Sequence, residues 1–156
     1  MTDYVTDYDP PQLEPLIDRY SGEAHSLLRI VAALLFFLHG TSKLLGFPPF
    51  EGGAPPIYSP FWIAGIFELI GGFMLIIGFA SRPVAFLLSG EMAVAYWMVH
   101  APQSTFPTLN GGESAILFCF IFLFIAATGP GPWSVDAAMK RRRLLGSEEE
   151  LVGSQA

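Results

Sequence analysis

Four long apolar runs divide this chain, and each is about as long as a helix must be to cross the ~30 Å hydrocarbon core of a bilayer. They are residues 26–46, 61–80, 83–100 and 113–129. Such runs leave few folds open. A chain that puts them in lipid must satisfy its backbone internally, as helices or a closed barrel. Runs of this length, without strict alternation, predict helices. Residues 47–60 and 101–112 are rich in Pro and Gly and cannot continue a helix. Between the second and third runs stand only Ser81 and Arg82, with Pro83 opening the next helix, so these two runs predict a tight hairpin. The expected fold is all-α: an integral membrane four-helix bundle, antiparallel, up-down-up-down.

Charge supports that division. The formal net charge is −6, and nearly all of it lies in residues 1–25, where Asp3, Asp7, Asp9, Glu14, Asp18 and Glu23 face Arg19 alone. These residues lack the basic start and apolar stretch of a signal peptide and read as an acidic, surface-lying tail with at most a short helix. Residues 130–156 read as a second tail, basic at Lys140–Arg143 and acidic at Glu148–Glu150. The domain expected between them is 26–129. Lys and Arg favour the cytoplasmic side of a membrane. Arg82 and Lys140–Arg143 therefore predict that the hairpin and both termini face the cytoplasm of a multi-pass protein in the cell (inner) membrane. With charged residues at 14% and no basic face, a nucleic-acid partner is not expected.

Ionisable groups inside apolar runs are costly and face the interior of a bundle or a cavity. Here they are Arg29, His39 and Lys43 in the first run, Glu68 in the second, Glu91 and His100 in the third, and Glu113 opening the fourth. Helical spacing puts Arg29, Phe36, His39 and Lys43 on one stripe. It puts Ala64, Glu68, Gly71, Gly72 and Leu75 on another, whose small residues let a neighbour approach the carboxylate. Leu88, Glu91, Ala95 and Met98 form a third. At 1.5 Å per residue, Glu68 and Glu91 both fall near mid-membrane. His39, Lys43, His100 and Glu113 fall toward the outer side. The expected site is an outward-facing pocket of His39, Lys43, His100 and Glu113 with Glu68 beneath it. Arg29 and Glu91 are expected to form an ion pair on the inner side.

Each residue also has a plainer role. Lys43 suits snorkelling to the interface, Arg29 suits the inner phosphates, and His100 suits a helix end. Glu113 suits the positive end of a helix dipole. Cys119 stands alone, which excludes an intrachain disulfide, a CxxC redox pair and a zinc cluster, and its apolar run makes it a small core residue. No metal site is expected. His39 and His100 lie toward one side, but two histidines on separate helices are slight ground for a bis-histidine haem, and haem is not expected.

The chain resembles the DoxX family of small four-span membrane proteins from Ser26 to Asp136. The resemblance rests on LLRIVAALLFFLHGTSKLLG, on FELIGGFMLIIGFASRPVA, on a third span ending in His100, on NGGESAILF, and on GPGPWSVD. The acidic N-terminal tail is an addition to the usual pattern. The family is named for a subunit associated with a terminal quinol oxidase, and a related domain belongs to thiosulfate:quinone oxidoreductases. The resemblance implies the bundle, the lipid bilayer and, among functions, a subunit of a membrane oxidoreductase complex that uses a quinone. Electrons would then come from a redox-partner protein. The alternative is a non-enzymatic scaffold, assembly factor or small-solute permeation protein, alone or as a homo-oligomer.

Overall fold

The computed structural model describes residues 14–49 and 53–153, and every regular element among them is helical. The elements are α1 (Glu14–Leu45), α2 (Pro60–Ile77), α3 (Ser81–Ala95) followed by a π-helical turn (Tyr96–His100), the short α4 (Pro107–Asn110), α5 (Glu113–Thr128) and α6 (Val135–Gly153). The acidic residues of the first tail up to Asp9 lie outside the described residues. From Glu14 onward that tail is helical and continuous with the first apolar run. The second tail also forms a helix, α6, which composition alone does not announce.

Local chemistry sets the boundaries. Ser59 caps α2 by accepting a hydrogen bond from Trp62 N, and Pro60 stands where a missing N–H costs nothing. Gly78 ends α2 in the left-handed region at φ 70°, and its N–H returns to the carbonyl of Leu75. The expected continuous third span is instead α3 plus the π-helical turn. Such turns insert an extra residue into the hydrogen-bond ladder and turn the side chains after it.

α1 packs along α2 and α3 along α5, and contacts of α2 with α3 and of α1 with α5 join the two pairs. The α1–α2 contact depends on missing side chains. A Cβ on Gly40 would lie 2.5 Å from Leu69 N, and one on Gly72 would lie 3.0 Å from Phe37 Cα. Glycine at both places lets the two backbones touch. Where α1 meets α5, Phe36 meets Phe122 edge-on at 4.9 Å between ring centroids, and Phe118 stacks beside them.

Two helical segments, Arg19–Leu45 and Pro60–Ile77, are long and apolar enough to cross a membrane, and α5 is a shorter apolar helix. The outside of the molecule is apolar: Leu34, Leu35, Phe67, Phe73, Phe86, Leu87, Leu117 and Phe120 are exposed. The inside holds a guanidinium and a carboxylate, Arg29 and Glu68.

Candidate functional site

Three helices meet around one buried ion pair. Lys43 is on the last turn of α1, and its Nζ lies 2.5 Å from Glu68 Oε1 of α2. Glycine makes this meeting feasible, because Gly65, one turn before Glu68, lies against Lys43 Cβ and Leu44. Glu68 is 2% exposed, and its second oxygen, Oε2, accepts no hydrogen bond among the described residues. Glu91 of α3 lies within electrostatic reach of both Lys43 and Glu68. Neither of its oxygens has a hydrogen-bond partner among the described residues, and both are buried. The arrangement thus offers one ammonium and three unused carboxylate oxygens within apolar surroundings. Such groups can donate a hydrogen bond to a carbonyl, accept one from a hydroxyl, and hold a cation.

The structure brings only part of the expected outer pocket together. Lys43 and Glu68 meet. His39 does not join them: Gly40 takes the place against α2, so His39 is rotated outward and meets Phe118 edge-on at 6.1 Å. Glu113 is exposed on the first turn of α5, where the helix dipole favours it. His100 belongs to a separate cluster that ties residues 101–112 to the end of the third helix. Its ring stacks on Tyr96, and its Nδ1 lies 2.9 Å from Asn110 O. Asn110 in turn donates to Ser104 O and accepts from Gly112 N. A Cβ on Gly112 would come within 2.7 Å of the Tyr96 ring, so the NGG motif is held by space as well as by hydrogen bonds.

The expected Arg29–Glu91 ion pair is absent. Arg29 is fully buried, but among the described residues all its hydrogen bonds go to backbone carbonyls. Nε donates to Pro130 O at 2.8 Å, Nη1 to Leu75 O and to Ile76 O, and Nη2 to Trp133 O at 2.5 Å. The reason is depth. Arg29 sits at the level of Leu75, whereas Glu91 is beside Glu68, seven residues away along α2, or about 10 Å. Arg29 therefore serves the C-terminal carbonyls of α2, where a cation also complements the helix dipole.

The segment after α5 was not expected to carry structure, yet it closes this end of the molecule. His25 Nε2 lies 2.6 Å from Gly129 O, and Ser26 Oγ accepts from Trp133 N. Arg82 donates to the last carbonyls of α5, Ala126 O and Ala127 O. The Asp136 carboxylate accepts from Ala80 N and Ser81 N at 2.9 and 2.8 Å and so caps α3. Asp136→Ala should therefore lower stability by about 1 kcal/mol, the usual cost of a lost cap, and Asp136→Asn should lower it less. Thermal unfolding of the detergent-solubilised variants checks this, and equal losses would show that the carboxylate acts otherwise. An open cleft of about 510 Å³, lined in part by His25, Leu28, Phe124 and Gly131, lies at this end and includes neither Lys43 nor Glu68.

With this geometry in view, relatives are informative. A family profile described as DoxX matches residues 24–101. The chain belongs to the DoxX family. It is 39% identical over 125 residues to an uncharacterised protein of Haemophilus influenzae, covering 77% of this chain and 93% of that one. It is 31% identical over 107 residues to a Bacillus subtilis protein named "Putative oxidoreductase CatD", covering 66% of this chain and 77% of that one. It is 27% identical over 124 residues to the Escherichia coli inner membrane protein YphA, covering 70% and 86%. No solved structure gives a significant match. The matched region of the family profile contains Arg29, Lys43, Glu68 and Glu91 and stops before Asp136.

Proposed function

We propose that this DoxX-family chain is an integral membrane protein of the cell (inner) membrane, with four crossings and both ends in the cytoplasm, that serves as a subunit of a quinone-linked oxidoreductase. The membrane reading is supported by the inverted distribution of polarity, apolar outside and charged inside, and by relatives named inner membrane proteins. The orientation is supported by Arg82 lining one cleft with Asp136 and Lys140 of α6, so that the basic residues gather at one end. In a single-cysteine set built on Cys119→Ser, Ala54→Cys should react with an impermeant thiol reagent in intact cells. Gly146→Cys should react only after permeabilisation. The reverse pattern would invert the topology.

The observation that carries the redox reading is the Lys43–Glu68 pair with its unused carboxylate oxygens. A quinone head group presents carbonyl oxygens that accept hydrogen bonds, and a quinol presents hydroxyls that donate them. Lys43 Nζ suits the first, and Glu68 Oε2 and Glu91 suit the second. One relative carries the name "Putative oxidoreductase CatD". Electrons would reach the quinone from a partner protein. Purification in mild detergent, solvent extraction and mass analysis should find near-stoichiometric quinone with the wild type and much less with Lys43→Met. A wild type that retains lipid but no quinone, together with a copurifying protein, would move the reading to a scaffold.

A further inference from the structure

The register of α2 and α3 places two carboxylates at one height. Gly71 packs against Leu88, where a Cβ would come within 2.8 Å of Leu88 Cδ2. The two helices are joined by three residues and run back alongside each other. Three residues back along α2 and three forward along α3 therefore reach the same level, at Glu68 and Glu91. On the third side, α1 lies against the backbone of Glu68 and Leu69 at Gly40, and Lys43 reaches in one turn later.

The charges at this level do not balance. Lys43 supplies one positive charge, and Glu68 and Glu91 supply two carboxyl groups. Glu68 Oε1 holds the ammonium, which leaves Glu68 Oε2 and both Glu91 oxygens unpartnered. Among the described residues the neighbouring titratable groups add no cation. His39 on α1 is turned to Phe118, and Cys119 on α5 lies beside Ser89. Tyr96 and His100, beyond Glu91, are engaged with each other and with Asn110, and Glu113 is exposed. A buried, uncompensated carboxylate is costly, and one further positive charge removes that cost.

We propose that Glu68 and Glu91 bind one exchangeable small monocation, a proton or a sodium ion, between them beside Lys43. The site rests on the membrane-crossing reading above but not on the quinone. Quinone retention is read by extraction, so either idea can fail while the other stands.

Infrared difference spectroscopy of the full chain in lipid nanodiscs tests the proposal. Spectra are taken in potassium buffer across steps of pH, and at fixed pH as potassium is exchanged for sodium. If the occupant is a proton, a protonated-carboxyl C=O band changes with pH. If it is sodium, the carboxylate stretching bands shift on sodium addition. The signal should vanish in Glu91→Gln and survive in Glu113→Gln, whose carboxylate is exposed. Glu91→Asp keeps the charge count and should shift the band in frequency, so the test stands even if Glu91→Gln fails to fold. A wild type with neither signal would overturn the proposal. A signal that persists unchanged in Glu68→Gln and in the folded Glu91 variants would do the same.

Discussion

Arg29→Ala should reduce the folded protein to a small fraction of the wild-type yield, whereas Arg82→Ala should leave most of it. Both arginines donate to carbonyls at the end of a helix, but their surroundings differ. Arg29 is fully buried, and its loss strands acceptors at Leu75, Ile76, Pro130 and Trp133 together. A buried acceptor left without a donor costs about 1–3 kcal/mol, so several at once approach the whole stability of a typical domain, ~5–15 kcal/mol. Arg82 is exposed, and water can replace it at Ala126, Ala127 and Thr128. Arg29→Lys should rescue little. An ammonium carries the charge but cannot reproduce the planar fork that reaches α2 and the 130–133 segment at once. Monodisperse yield and thermal midpoint in detergent read the outcome. Equal losses for Arg29→Ala and Arg82→Ala would refute the clamp.

The mistaken partner for Arg29 shows where sequence reading stops. Helical spacing and depth correctly mark Arg29 as an interior residue. Depth along a helix, however, says nothing about chain that returns after the last apolar run. The residues that satisfy Arg29 are backbone carbonyls of a Pro/Gly-rich segment and of a helix end, and carbonyls carry no sequence signal. Ser134 and Asp136 offer a faint one: a hydroxyl just ahead of a helix and an acid in its first turn suit capping, and Ser134 does cap α6 whereas Asp136 caps a different helix from its own. The glycine stripe of α2 was legible because small residues at helical spacing have one main use, close approach. It led to Glu68 meeting a neighbour. His39 was misplaced for a related reason. Its neighbour Gly40 occupies the tight contact, and a rotation of about 100° per residue then carries His39 to a different face. The π-helical turn after Ala95 left no trace in composition, so the surroundings of His100 were not legible.

Lys43→Met should cost about 3–5 kcal/mol of stability, the usual loss when one partner of a buried ion pair is removed. The lysine is the side-chain cation at the level where Glu68 and Glu91 lie, and without it neither carboxyl group has a side-chain counter-charge among the described residues. The intact pair is a different matter. Its Coulomb attraction is offset by the dehydration of both groups, and an apolar pair of similar volume is often as stable or more so. Lys43→Met combined with Glu68→Leu should therefore recover most of what Lys43→Met alone loses. A double-mutant cycle on thermal or denaturant unfolding in detergent measures this directly. Additive losses would mean that the two side chains contribute nothing to each other. Recovery would separate two reasons for keeping the pair. If the double variant is stable but retains neither quinone nor a cation response, Lys43 and Glu68 serve binding at a site where leucine and methionine would have folded as well.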